Sequence, residues 1–170
     1  MARGLVEMAQ KKGYADRLNI QIASDASVAI LARNVDIVLI GADQISEAGD
    51  VSNKTGSLPA VLCAKAVSNQ VEIVVLSELD KVGKPGDINE QGEEDNDEAE
   101  VVGIWGQVSE GIKPELWEAI VKIKNNYFEW VPAKYIDCYI CELGSVDLKT
   151  IKEQSHRAEA AESRLLNDFE

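Results

Sequence analysis

The chain has 170 residues, with 17 Lys and Arg against 30 Asp and Glu, a formal net charge of −13 and a hydrophobic fraction of 45%. That apolar fraction is enough for one core at single-domain length and excludes wholesale disorder, while no apolar run approaches the roughly 20 residues of a membrane-spanning helix. An acidic surface repels phosphate backbones and anionic lipid, so neither nucleic acid nor membrane is an expected partner.

Residues 2–12 place Leu5, Met8 and Ala9 at helical spacing ahead of Gly13, which predicts a short amphipathic helix. Residues 19–23, Asn-Ile-Gln-Ile-Ala, are rich in β-formers and read as a strand. Ser24 or Asp25 then reads as the N-cap of a helix carrying Val28, Ile30 and Leu31. Residues 36–41 form a near-continuous apolar run that stops at Gly41-Ala42-Asp43, the composition of a strand buried on both faces. Residues 44–55 read as a polar loop, 56–68 as a helix with Pro59 in its first turn, and 72–77 as a second buried strand. Strands alternating with helices of this length mean βαβ units and a parallel sheet, hence an α/β fold.

Residues 87–100 hold eight acids and no base; without them 22 acids face 17 bases, a net of −5. With the breaker cluster Gly83-Lys84-Pro85-Gly86 in front, residues 84–100 read as a solvated, disordered insertion that cannot offset its ordering entropy. Beyond it, residues 113–124 read as a helix started by Pro114, residues 126–132 as an extended aromatic segment, and 136–142 as a last strand ending at Leu143-Gly144. From 145 to 170 the chain is charged and sparsely apolar, a surface helix or a frayed tail. No internal repeat is evident.

In open parallel sheets the ligand crevice lies beyond the carboxyl ends of the strands. That rule selects Gly41, Asp43 and the loop to Lys54 and Gly56. Lys54 lies just ahead of a helix N-terminus where an anion is favoured, although neither formal phosphate-loop motif is present.

The stretch Val35-Asp36-Ile37-Val38-Leu39-Ile40-Gly41-Ala42-Asp43, followed by Gly49-Asp50-Val51-Ser52-Asn53-Lys54-Thr55-Gly56-Ser57, resembles a known family. It unites the alpha, beta and delta subunits of translation initiation factor 2B with methylthioribose-1-phosphate isomerase and ribose-1,5-bisphosphate isomerase. Leu62-Cys63-Ala64-Lys65-Ala66 and Phe128-Glu129-Trp130-Val131-Pro132 agree in order and spacing, and the likeness covers about Arg3 to Gly144. It implies a Rossmann-like parallel sheet of the ribose-phosphate-isomerase and CoA-transferase type, incomplete at the N-terminus, because the family's helical N-terminal domain and first strands are not matched. The domain expected is 1–144, the C-terminal part of such a protein, followed by a charged helix or tail, 145–170.

The resemblance implies that Asp43 is the catalytic acid/base if the protein is an enzyme, and that Asn53 and Lys54 serve a sugar-phosphate pocket with Gly41 and Gly56. The isomerases' catalytic cysteine has no counterpart here, so catalysis by this chain alone is not expected. The leading expectation is a cytoplasmic, initiation-factor-2B-like regulatory subunit that associates with itself or with similar subunits and binds a sugar phosphate or nucleotide. The competing expectation is an aldose–ketose isomerase acting on a ribose-1-phosphate derivative, without its N-terminal half. A third is a paralogue that keeps only the fold. Against the site stands the plainer reading of Asp43 as a buried carboxylate capping the next loop.

Other residues yield less. Cys138 and Cys141 are formally C-x-x-C but lie in an apolar strand, where residues three apart point to opposite faces, so both read as core cysteines, as does Cys63. His156 has no neighbouring ligand in the sequence, and no metal or other cofactor is expected. Trp105, Trp117 and Trp130 read as core or interface anchors. Lys149, Lys152, Arg157 and Arg164 are diluted by neighbouring acids.

Overall fold

A computed structural model describes residues 2–68, 70–86, 96–105 and 112–167. The core of the expected insertion, residues 87–95, lies outside them. Where the chain re-enters, the last residues of the expected insertion, Glu98–Glu100, are exposed and begin a helix.

The helix α1 spans Ala2–Lys12, as its spacing predicts. Residues 19–23 are not a strand: they belong to no helix or strand and make no hydrogen bond to any described residue. The expected helix after Ser24 is broken into a 3-10 turn at Asp25–Ser27, α2 at Val28–Leu31 and a second 3-10 turn at Ala32–Asn34. Strand β1, Ile37–Ile40, follows.

The polar stretch after Asp43 is not a loop but an antiparallel hairpin, β2 at Gln44–Ile45 and β3 at Val51–Lys54. Helix α3, Ser57–Val67, holds Pro59 in its first turn, and β4 is Glu72–Leu76. Then come α4 at Glu98–Trp105, α5 at Pro114–Ile120, β5 at Phe128–Val131, β6 at Cys138–Cys141, β7 at Gly144–Val146 and α6 at Leu148–Asn167.

These strands make two sheets. The first has order β1-β4-β6-β7, with β1, β4 and β6 parallel and β7 antiparallel; the second has order β2-β3-β5, all antiparallel. The fold is therefore mixed α/β with a mostly parallel main sheet. Val51 and Val131 pair across the second sheet and join Ile45, Val61, Ile73, Val75 and Ile151 in one buried cluster. Helix α3 packs over one face of β1. Ile37 and Leu39, on the other face, are 56% and 61% exposed, so β1 is not buried on both sides. No helix among the described residues is long and apolar enough to cross a membrane.

Helix α6 is continuous rather than frayed to Asn167. Asp147 caps its first turn, accepting from both the amide and the hydroxyl of Thr150 through Oδ1, and those two bonds hold its carboxyl below the ordinary range. Ile151 and Ser155 are buried beneath it, with the Ser155 hydroxyl donating to the Gly83 carbonyl at 2.7 Å. His156 and Lys152 both approach Glu47 in the hairpin turn, at 3.5 and 3.2 Å. The three cysteines are half-buried: Cys63 packs against the buried cluster, while Cys138 and Cys141 do not join it.

Candidate functional site

Strand β1 ends where its apolar run ends, and Gly41 and Asp43 emerge from its carboxyl end. The Asp43 amide donates to the Ser52 carbonyl at 2.9 Å, which fixes Asp43 beside the Ser52–Asn53 peptide of β3. Its carboxylate is exposed and makes no hydrogen bond or ion pair among the described residues. The reading of Asp43 as a buried loop cap is thereby corrected: the main chain does the tethering, and the side chain is free.

Asn53 is half-buried, and its amide donates to the Ser57 hydroxyl at 3.1 Å. A methyl group placed on Gly41 would lie 4.0 Å from Asn53 Oδ1, so the Asn53 side chain lies near the bare Gly41 backbone with room between them. Gly41, Asp43 and Asn53 thus form one compact group at the crevice end of β1.

Lys54 and Gly56 are engaged elsewhere. The Lys54 ammonium sits 3.6 Å from the centroid of the Phe128 ring and 5.7 Å from that of Tyr127, a cation–π arrangement set by the pairing of Lys54 with Phe128. Gly56, at φ 107°, provides the left-handed turn into α3. Its amide donates to Glu129 Oε1 at 2.6 Å, and the Leu58 amide to the same oxygen at 2.9 Å. The anion expected at this helix N-terminus is therefore an internal carboxylate.

Glu129 is the residue that sequence reasoning missed. Its signal was present: a lone acid between Phe128 and Trp130 in a β-segment must face the opposite side from both aromatics. That side is the one shared with Asn53, its register partner. The turn between β3 and α3 is further clamped by Thr55, whose hydroxyl donates to the Asn126 carbonyl at 2.6 Å and whose amide donates to the Tyr127 carbonyl at 2.9 Å.

On the other face of the same sheet, Gln44, Ser52 and Trp130 form one cross-strand row. Gln44 Oε1, Ser52 Oγ and Trp130 Nε1 are buried there without a hydrogen-bond partner among the described residues. A concavity of about 590 Å3 lies away from this group, lined by Ile136, Cys138, Ser145, Val146 and Leu148 among others. No cluster of three or more His, Cys, Asp or Glu side chains among the described residues is placed to hold a metal ion.

A second polar cluster positions the main sheet. Asp137 Oδ2 accepts from Lys65 Nζ at 2.6 Å and from the Ile73 amide at 2.8 Å. Desolvation opposes the charge on Asp137, but the Lys65 and Ile73 hydrogen bonds and the lysine's charge outweigh it and hold the carboxyl below its ordinary range.

Comparison with known proteins follows this geometry. The model of the Initiation factor 2 subunit family matches residues 6–147. Over 129 residues the chain is 29% identical to ribose 1,5-bisphosphate isomerase of Methanocaldococcus jannaschii, covering 76% of this chain and 38% of that protein. It is 32% identical to methylthioribose-1-phosphate isomerase of Bacillus cytotoxicus over 129 residues, covering 75% and 34%. A crystal structure of 5-methylthioribose 1-phosphate isomerase from Pyrococcus horikoshii OT3 shares the fold at a TM-score of 0.60 and 22% identity, over 91% of this chain and 41% of that one. Translation initiation factor eIF-2B, subunit delta, from A. fulgidus does so at 0.59 and 21%, over 81% and 40%. The chain spans less than half the length of each of these relatives.

Proposed function

This chain belongs to the Initiation factor 2 subunit family, and we propose that it serves as a cytoplasmic regulatory subunit of the initiation-factor-2B type. In this reading it associates with itself or with similar subunits and binds a sugar phosphate or nucleotide at the carboxyl end of β1. The parallel strands β1, β4 and β6 are then the C-terminal part of a Rossmann-like sheet of the ribose-phosphate-isomerase and CoA-transferase type. Residues 1–144 form that part, with 145–170 as an appended charged helix.

The observation that supports binding is the free Asp43 carboxylate beside Asn53 at the crevice end of β1. The ligand's hydroxyls face Asp43 and the Asn53 amide. Its phosphate cannot use the N-terminus of α3 while Glu129 occupies it, so Lys54 could serve it only by leaving the Phe128 ring on the opposite face of β3. Catalysis has less support. Aldose–ketose isomerisation needs a second group to activate the substrate, and one acid or base supplies about 10²–10⁴-fold. Among the described residues no side chain is hydrogen-bonded or ion-paired to Asp43.

A second reading is favoured by the curated relatives, which are named as isomerases at 29% and 32% identity. In it Asp43 transfers the proton during isomerisation of ribose 1,5-bisphosphate or methylthioribose 1-phosphate, and the rest of the machinery comes from outside this chain.

Calorimetric titration of the chain with ribose 1,5-bisphosphate, methylthioribose 1-phosphate and GMP, alongside a turnover assay, separates the readings. Binding that Asp43→Asn weakens at least tenfold, without turnover, is the expected result. Turnover lost in Asp43→Asn selects the isomerase, and no binding of any of the three overturns both.

A further inference from the structure

We propose that Ser57 is a positioning residue: its hydroxyl sets which end of the Asn53 amide faces the crevice, and so makes Asn53 an acceptor toward the ligand. The inference deepens the ligand reading at Asp43 and Asn53 and rests on it.

A serine hydroxyl carries one hydrogen. At Ser57, the first residue of α3, that hydrogen goes to the Lys54 carbonyl, 2.8 Å from Oγ. Toward Asn53 the same oxygen therefore offers a lone pair, and the Asn53 atom that meets it at 3.1 Å is the donor Nδ2. With the amide turned over, Asn53 Oδ1 and Ser57 Oγ would confront each other as two acceptors. The contact is built locally. Gly56 turns the chain at φ 107° and brings the first residue of the helix back beside a strand residue four positions earlier.

With Nδ2 held by Ser57, Oδ1 is the end of the amide on the Gly41 side. It is the one atom among the described residues that comes within 4.0 Å of a methyl group placed at Gly41, so the bare glycine leaves it room to receive a ligand atom. Close by is the Asp43 carboxylate, exposed and without a hydrogen bond or ion pair among the described residues. Both groups accept. A ligand therefore turns a hydroxyl toward Asn53, and its phosphate and carbonyl oxygens elsewhere, since two facing acceptors repel and leave each other unpaired.

Ser57 has no part in this apart from Asn53. Without its hydroxyl the amide is free to turn, and half of the Asn53 orientations present a donor to the crevice instead. The role is thus one of orientation, of the kind that outer partners exert on the groups that touch a ligand.

The experiment uses the whole chain and two readouts. The first needs no ligand: in the 15N-labelled protein, nuclear Overhauser contacts are expected between the Asn53 side-chain NH2 and the Ser57 β-protons. Their absence overturns the assignment. The second is calorimetric titration with ribose 1,5-bisphosphate and with GMP. Ser57→Ala is expected to weaken the probe that binds by about tenfold, and Ser57→Thr, which keeps the hydroxyl, to stay within about twofold of the parent. In an Asn53→Ala background, Ser57→Ala is expected to change the affinity no further, because Ser57 acts only through that amide. Ser57→Ala that binds as the parent does overturns the proposal. So does Ser57→Thr that binds as weakly as Ser57→Ala, and so does a Ser57→Ala loss that persists in the Asn53→Ala background. Binding of neither probe removes the ligand reading and with it the acceptor role of Asn53, while the NMR contacts still support or overturn the hold of Ser57 on the amide.

Discussion

Glu129 Oε1 lies 2.6 Å from the Gly56 amide nitrogen, so a carboxylate on the second sheet closes the N-terminus of the helix that covers the first. Helix α3 and strand β5 are thereby joined by a charge-assisted cap. Glu129→Ala is expected to cost about 1–2 kcal/mol, with Glu129→Gln costing less because an amide oxygen still accepts. Urea denaturation of the three proteins checks the order. The same cap decides where a phosphate goes: inorganic phosphate should raise the melting temperature of Glu129→Ala more than that of the unsubstituted chain.

Two glycines at positive φ should respond differently to alanine. At Gly49, φ 90°, a methyl group would stand 2.4 Å from Leu148 Cδ2 and 2.8 Å from the Tyr139 hydroxyl. That hydroxyl cannot retreat, because it donates to the Gly49 carbonyl at 2.6 Å. Gly49→Ala therefore combines left-handed strain with overpacking, about 3 kcal/mol or more. At Gly56, φ 107°, nothing lies within 4 Å, so alanine there meets the strain alone, about 1–2 kcal/mol. Equal losses at the two sites in denaturant titrations would contradict this account.

Asp137 sets an acid limit. Its folded-state pKa is lowered, so the folded state binds this proton less readily than the unfolded chain does. The stability it contributes is full above the ordinary carboxyl pKa, about 3.9, and is lost as pH falls through the lower folded value. The pair with Lys65 is partly exposed, so the contribution is modest, under about 1 kcal/mol. Denaturation midpoints of Asp137→Asn should lie below those of the parent at pH 6 and converge with them in acid.

Tyr139 sets an alkaline one. Burial, with the nearby charge of Asp50, pushes its phenol up to about 12. The unfolded chain loses this proton near pH 10 while the folded chain keeps it, so stability declines as pH rises from about 10 to 12. Tyr139→Phe should lose that part of the decline. At neutral pH it should cost about 1–3 kcal/mol, since the Gly49 carbonyl is left without its buried donor. Thermal melts across pH 8 to 11 distinguish the two effects.

The parallel strands were legible because β1, β4 and β6 come from apolar runs that few other elements could use. The hairpin of β2 and β3 was not, since Gln44, Ser52, Asn53 and Lys54 have the composition of a loop and become strands only by pairing with β5. The reverse error occurred at residues 19–23, where β-forming side chains found no partner strand within the described chain. At the site, the position of Asp43 followed from the strand-end rule, but its exposure did not, because burial depends on what packs above it. Lys54 and Gly56 read as open to an anion only while Glu129, far along the chain, was out of view.

The Tyr139–Gly49 bond spans 90 residues and the Lys65–Asp137 bond 72, and each sheet is completed by a late-arriving strand, β5 pairing with β3 in one and β6 with β4 in the other. Such long-range closure makes for slow folding. Equilibrium stability is far less sensitive to the length of the intervening chain, since each doubling of a flexible loop costs only about 0.6 kcal/mol. The acidic stretch at residues 87–100 lies inside that span. Its length and mutual repulsion therefore bear on how quickly β5 and β6 find β3 and β4, and hardly at all on how firmly they hold once there.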